Sequence, residues 1–312
     1  MKATPCKAWI ILTLLAVMTL GGFSSCTKED WSRCPDIVPG IKVVPANLYG
    51  VTIDPADIKT VTLYVFDSDE QFLGKVPAAV GQVTTLNFPN AGALKVVAVG
   101  NAADGSGNET VSNFNDDGCT QLSHGLISLV GATRAAAHHH SPCDLFWGDV
   151  SVDNDGETEE EKEIPMRRIV SSVNIKAVNL KDYAGVSDHN FHYEVTTDFN
   201  RVDFRGQPSG NSVMYKPANC RVTSGNVFES PTFNMISSQA GQPVAVEIYH
   251  NGDTLIDTIT KDSDGNALTA VNGKLLNVHI DYTGRSIGDG WLSVVVEYSG
   301  WGDPLDIGKV IQ

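Results

Sequence analysis

Several marks of enzymes, nucleic-acid binders and membrane-spanning proteins are missing from this sequence. It has no GxSxG, no HExxH and no Walker sequence, so it lacks the local patterns that announce acyl transfer, zinc proteolysis or nucleotide binding. No two cysteines stand in CxxC spacing, which disfavours a zinc site or a thioredoxin-like redox motif. Basic residues are scarce, 22 Lys and Arg against 37 Asp and Glu, for a net charge of −15 and no basic cluster. Such a chain is a poor binder of nucleic acid or anionic lipid headgroups by charge. Beyond the first thirty residues there is no run of 18 apolar residues to cross a bilayer. A long amphipathic helix and a short-period repeat of the solenoid kind are also missing. Carboxylates are plentiful, and pairs for glycoside hydrolysis are assembled in space rather than in sequence. Nothing in the pattern singles out a pair, so the chain is read as non-enzymatic, with no cofactor and no bound metal.

What is present begins at the first residues. Lys2 and Lys7 precede an apolar run, Ala8 to Leu20, that ends at Gly21-Gly22-Phe23-Ser24-Ser25-Cys26. A short basic region, an apolar core too short to span and small residues before a cut describe a secretory signal over residues 1–25. The Cys directly after the small residues makes it a bacterial lipobox, although Phe23 stands where Leu is usual. Cys26 is the expected acylation site and the new N-terminus. Several acyl chains on one residue anchor a protein stably, where a single chain binds marginally. Thr27-Lys28-Glu29-Asp30 resembles the lysine-plus-acidic export signal that sends Bacteroidetes lipoproteins to the outer face of the outer membrane. The expected location is therefore the cell outer membrane, lipid-anchored and surface-exposed.

Loss of residues 1–25, with Lys2 and Lys7, takes the net charge from −15 to −17. About 285 mature residues suit two domains of ordinary size. Once Cys6 leaves with the signal and Cys26 carries lipid, Cys34, Cys119, Cys143 and Cys220 remain, an even number allowing three pairings. An exported protein meets an oxidising compartment, so one or two disulfides are expected. One bridge within the first domain is favoured, its pairing left open.

The remainder reads as strands. Ile41-Lys42-Val43-Val44 and Val61 to Phe66 are rich in β-branched and aromatic residues and bounded by Pro, Gly or Asp. Asp67-Ser68-Asp69-Glu70 turns the chain into Gln71 to Lys75 as a hairpin. Val83 to Phe88 alternates, Leu94 to Val99 is a further strand, and a short helix is expected around Leu122 to Leu129. Leu145 to Val150 returns to strand. The charge run Asp153 to Glu163 reads as an exposed hairpin tip or linker. Its Asp153-Asn154-Asp155-Gly156 fails the EF-hand frame, because the first and twelfth positions would be Ser151 and Lys162.

The tether is set at 26–40, a first domain at 41–163 and a second at 164–312, opening at Ile164-Pro165-Met166. Val170 to Val178, Phe191 to Thr196, Val244 to Tyr249, Thr254 to Ile259, Leu275 to Tyr282 and Trp291 to Tyr298 are its strands. Asn251-Gly252 is a type I′ hairpin signal and Asp262-Ser263-Asp264-Gly265 a second turn. Many short strands with turn residues at regular spacing argue for antiparallel sandwiches. His138-His139-His140 reads as an exposed loop rather than a metal site, and His189 and His192 as a loop entering a strand.

Taken in order, these motifs resemble a family. A lipobox is followed by Cys34-Pro35, Leu63-Tyr64-Val65-Phe66-Asp67 with Phe72-Leu73, Phe146-Trp147-Gly148-Asp149, Pro165-Met166-Arg167-Arg168 and Val246 to Leu255. Each is weak alone; their order and spacing resemble the FimB-type anchor subunits of Bacteroidales fimbriae over nearly the whole mature chain. The resemblance implies an all-β fold of two tandem transthyretin-like antiparallel β-sandwich domains. It implies a lipid-anchored structural subunit that attaches a fimbria to the outer membrane and terminates its assembly at the base. The implied partners are the outer membrane, through lipid, and a fimbrial shaft subunit joined by β-strand addition. An anchor of this kind keeps its N-terminal strand, because cleavage there, for example after Arg33, would cut it from its lipid. The C-terminal Leu305 to Gln312 is either a donated strand or the last strand of its own sheet. The rival is a surface lipoprotein binding a glycan or host protein, which predicts an exposed aromatic platform. Its candidates are Trp31, Trp147, Trp291 and Trp301, of which Trp147 and Trp291 fit core strands.

Overall fold

A computed structural model describes residues 38–301, apart from 47–52, 90, 103–107, 115–117, 132–137, 155–160, 239–241 and 288–291. The strands in its first part are β1 (Gly40–Pro45), β2 (Val61–Phe66), β3 (Phe72–Ala78), β4 (Val83–Thr85), β5 (Ala93–Gly100), β6 (Glu109–Val111), β7 (Leu126–Leu129), β8 (His138–His139), β9 (Phe146–Asp153) and β10 (Glu161–Arg168). Seven of them form one sheet in the order β3-β2-β5-β9-β10-β1-β4. This sheet encloses a core of its own, built by Ile41, Val43, Leu63, Val65, Val96, Ala98, Phe146, Ile164 and Met166, all fully or nearly fully buried. The opposite face of β2, β5 and β9 is apolar too, with Tyr64, Phe66, Val97, Val99 and Trp147 packed into a second, larger core.

That larger core extends through the second part of the chain. Its strands are β11 (Val170–Val178), β12 (Phe191–Thr197), β13 (Arg201–Asp203), β14 (Pro208–Ser209), β15 (Val213–Tyr215), β16 (Arg221–Thr223), β17 (Val227–Glu229), β18 (Phe233–Ile236), β19 (Ala245–His250), β20 (Thr254–Ile259), β21 (Lys274–Asp281) and β22 (Ser293–Gly300). A sheet ordered β16-β17-β11-β21-β22, with β18 also on β11, faces a sheet ordered β20-β19-β12-β15-β8. Strict alternation in β12 and β19 turns Phe191, Tyr193, Val195, Val246 and Ile248 inward, as a sheet wet on one face requires. The single α-helix among the described residues, α1 (Leu180–Ala184), is one turn closed by Gly185 in the left-handed region. The fold is all-β and sandwich-built. Most pairings are antiparallel, but β1–β10, β11–β21 and β15–β8 are parallel.

Turns follow their side chains. At the β2–β3 hairpin, Asp67 Oδ1 accepts from the N–H groups of Asp69 at 2.9 Å and Gln71 at 2.8 Å, and Glu70 takes φ 60°. Asn251 and Gly252, at φ 51° and 96°, close the β19–β20 hairpin, the type I′ requirement of two positive φ values. Asp262 Oδ1 likewise accepts from Asp264 and Asn266 in the second predicted turn. The helix expected at Leu122 to Leu129 is instead one 3-10 turn, Leu122–His124, followed by β7. Ile127 and Leu129 alternate into the core there, and β7 pairs on both sides, so tertiary pairing outweighs local turn preference. β10 runs through positions 163 and 164, where composition placed the domain boundary. Ile164 to Arg168 therefore lie in the first sheet, and the chain changes sheet at Ile169.

Gly148 gives one motif a steric reason. A Cβ there would meet the Pro165 carbonyl oxygen at 2.6 Å, so β9 and β10 cross too closely for any side chain. Gly148→Ala should lose about 1–3 kcal/mol through overpacking against backbone. Gly92→Ala, facing open space, should stay within about 0.5 kcal/mol; thermal unfolding of both variants checks the contrast.

Candidate functional site

The sequence reading of a tethered, non-enzymatic subunit directs attention to the first described strand and to the strands at the sheet edges. Cys26, Trp31, Arg33, Cys34, Trp291 and the segment 305–312 lie outside the described residues. The first described strand, β1, is an interior strand. It runs in parallel register with β10 from Gly40↔Glu161 to Pro45↔Met166, and antiparallel with β4 through Gly40, Ile41 and Lys42. Hydrogen bonds flank the ladder at both ends: Leu86 N–H donates to Pro39 O at 3.0 Å, Gly81 N–H to Val43 O at 2.8 Å, and Ala46 N–H to Met166 O at 2.8 Å. Ile41 and Val43 are fully buried. Lys42 Nζ reaches Glu163 at 3.2 Å, and a Cβ on Gly40 would strike Val83 at 2.8 Å.

Among the described residues, the strands left at the sheet edges differ in how they are protected. An open strand edge offers unpaired N–H and C=O groups, and proteins blunt such edges with Lys, Pro, bulges or shortness. β3 carries Lys75 and Pro77; β4, β6 and β16 have three residues each, and β8 and β14 two. The β19–β20 ladder is bulged at Ile248/Tyr249. β22 is eight residues long with no Lys, no Pro and a regular ladder to β21. Ser263 closes one end of its outer edge, donating N–H to Val294 O at 2.9 Å and accepting from Val294 N–H through Oγ at 2.7 Å. Outward groups alternate along a strand, so the backbone of Val296, Tyr298 and Gly300 faces the same outer edge. Val295 and Tyr298 are 38 % and 42 % exposed.

Where β22 ends, the chain meets a buried cation. Arg168, 4 % exposed, pairs with Asp57 Oδ2 at 2.6 Å and Asp144 Oδ1 at 2.9 Å. Its guanidinium lies over Phe146 at 5.0 Å and Trp301 at 4.5 Å. Asn101 orders both carboxylate loops, its Nδ2 donating to Asp57 O at 2.7 Å and Asp144 O at 2.9 Å. Burial pushes the Asp144 carboxyl up, against the opposing pull of Arg168. Trp147 is buried, its Nε1 donating to Phe204 O at 3.1 Å and its ring covered by Arg167 at 4.5 Å. Trp147 and Trp301 therefore do not compose an open aromatic platform.

The histidine and cysteine expectations change. His138-His139 is a strand, β8, half-buried beside β15, with only His140 exposed; Met214 and Tyr215 supply the ladder partners that make it a strand. Burial, more than the flanking imidazoles, holds the His139 ring below its usual pKa. Among the described residues no three His, Cys, Asp or Glu side chains are grouped to hold a metal ion. His192 lies in β12, stacked on Tyr249 at 5.3 Å and 3.2 Å from Glu194. No disulfide joins Cys119, Cys143 and Cys220, which corrects the expected bridge between cysteines of the first domain. Each sulfur is engaged elsewhere: Cys119 with His124 O at 3.8 Å, Cys220 with Pro217 O at 3.4 Å, and Cys143 with Glu109. Burial pushes the thiols of Cys143 and Cys220 up to about 11, with Glu109 adding to the rise at Cys143, the reverse of an activated nucleophile.

The family profile of fimbrillin-A associated anchor proteins Mfa1 and Mfa2 matches residues 47–304. The chain belongs to this family. A major fimbrium anchoring subunit FimB of Porphyromonas gingivalis is 25 % identical over 311 residues, 93 % of this chain and 94 % of that one. Among solved structures, the fimbrial anchor protein Mfa2 of P. gingivalis superposes with a TM-score of 0.63 at 14 % identity, covering 85 % of this chain and 97 % of that one. A protein of Bacteroides thetaiotaomicron described as a putative polysaccharide binding protein gives 0.64 at 14 % identity, over 84 % and 97 %. Both superpositions show a shared fold. No described helix is long and apolar enough to cross a membrane.

Raised thiol pKa values have a direct readout. At pH 8, iodoacetamide should label Cys143 and Cys220 at least about tenfold more slowly in the folded protein than in urea, because the thiolate fraction falls faster than nucleophilicity rises. Peptide mass spectrometry measures both rates, and fast native labelling would contradict the buried-thiol picture.

Proposed function

We propose that the chain is a lipid-anchored structural subunit that attaches a fimbria to the outer membrane and terminates its assembly at the base. Residues 1–25 are removed, Cys26 carries the lipid, and residues 26–40 tether two sandwiches, between which the chain passes at Ile169. The observation that carries the reading is β1. The strand leading back to Cys26 is hydrogen-bonded on both sides inside the first sheet, so tension on the tether meets a parallel ladder loaded along its length. A 15-residue tether reaches at most about 54 Å, which keeps the protein close to the membrane. Membership of an anchor-protein family supports the same reading, as does the lysine-plus-acidic segment after Cys26.

In this reading a fimbrial shaft subunit joins by β-strand addition. The edge of β22 is the favoured acceptor, being long, regular and without Lys or Pro. With β1 retained inside its sheet, the base of the fibre offers no vacated N-terminal groove, and growth stops there.

Cys26→Ala should move the protein from the membrane fraction to the medium, and fibres should be shed with it. Mass spectrometry of proteins co-purifying with the detergent-extracted wild type should recover pilin-like subunits in stoichiometric amount; an acylated protein with no such partner would reject the anchor reading. Val296→Pro removes an outward N–H that the β21 ladder does not use, a tolerated edge position for proline. Shaft recovery should fall at least about tenfold with little change in melting temperature, whereas unchanged recovery would exclude the β22 edge.

A further inference from the structure

Two short segments lie in the sheet of the opposite half of the chain. β13 and β14, from the second half, add to β7 and β6 of the first, with Arg201↔Ser128, Val202↔Ile127 and Asp203↔Leu126 in register. β8, from the first half, adds in parallel to β15 of the second. The exchange is fastened on both sides. Phe204 enters an aromatic group on the outer face of the first sheet, its ring centroid 4.9 Å from Tyr64, 5.3 Å from Phe114 and 6.4 Å from Phe66. It lies so close to Gly125 that a Cβ there would fall 2.2 Å from the ring. Trp147 Nε1 donates to Phe204 O at 3.1 Å, Arg205 pairs with Glu70 at 3.1 Å, and Leu129 N–H donates to Asn200 O at 2.9 Å. On the other side Ser141 Oγ donates to Asn234 O and accepts from Asn234 N–H, both at 2.8 Å, and Asn234 Nδ2 donates to Pro142 O at 3.2 Å.

We propose that this reciprocal exchange is a clasp that makes the two halves unfold as one cooperative unit, not domain by domain. Two sandwiches joined only by a covalent link open independently, each at its own free energy. Here neither half opens alone without tearing a ladder that belongs to the other and exposing the shared core around Phe204, Tyr64 and Trp147. The clasp itself stands on geometry. Its use, keeping a tensioned anchor from extending one domain at a time, rests on the anchoring reading above, and the test is independent of that reading.

Native-state hydrogen exchange on the full-length, detergent-solubilised protein tests the clasp. In rising sub-denaturing urea, the slowest amides of β5 and β9 should merge into the same opening as those of β11 and β21. Ile248→Val, in the second sandwich and away from the clasp, should accelerate exchange in both sets by a common factor of about two to ten. Phe204→Ala should separate the two sets into openings that differ at least about tenfold; should it not fold, Phe204→Leu replaces it. Two distinct openings in the wild type, or an Ile248→Val effect confined to β11 and β21, would overturn the proposal. A single shared opening retained in the Phe204 variant would overturn it as well.

Discussion

The first sheet is apolar on both faces, and the rest of the molecule is arranged around that constraint. β2 and β5 read Val-Thr-Leu-Tyr-Val-Phe and Ala-Leu-Lys-Val-Val-Ala-Val-Gly, near-continuous apolar runs rather than alternating ones. Each large side chain removed from water contributes about 1.5–3 kcal/mol, so neither face can be left wet. One face closes on itself through β1, β10 and Leu86. The other is covered by β7, β13 and the aromatic ring of Phe204. Since β13 comes from the second half of the chain, covering that face ties the halves together.

The same economy shapes the polar interior. Arg168 is a buried cation answered by two carboxylates and two aromatic faces; removal of one partner from such a group is strongly destabilising. Asn101 and Asn234 use side-chain amides to tie loops from distant parts of the sequence. The three described cysteines, Cys119, Cys143 and Cys220, pack as small hydrophobes, not as crosslinks or nucleophiles. Stability in this fold comes from shared cores and ladders, and its surface is left to edges and carboxylates.

How much was legible in the sequence depended on the range of the interaction. The hairpins at Asp67 to Glu70 and at Asn251-Gly252 were readable because the turn residues satisfy their own backbone within four positions. Trp147 was readable as core from its strand setting. The 3-10 turn before β7, the strand at His138-His139 and the passage of β10 through position 163 were not, because each depends on a ladder partner far away in sequence. The even cysteine count suggested a bridge, yet where the three described thiols lie follows from packing that spacing does not encode. Edge protection was half legible: Lys75 and Pro77 mark β3 as an edge, while the exposure of β22 depends on which strand lies beyond it.

By itself the sequence determined the strand-rich class, the strong turns and the likeness to an anchor family. These rest on local chemistry: β-branched strands and residues that tolerate positive φ. The tertiary structure alone decided that β1 lies inside a sheet, that Arg168 meets Trp301, and that β8 and β13 each complete the other half's sheet. Such pairings are set by which apolar faces remain uncovered after the local elements form, a property of the assembled chain and not of any segment in it.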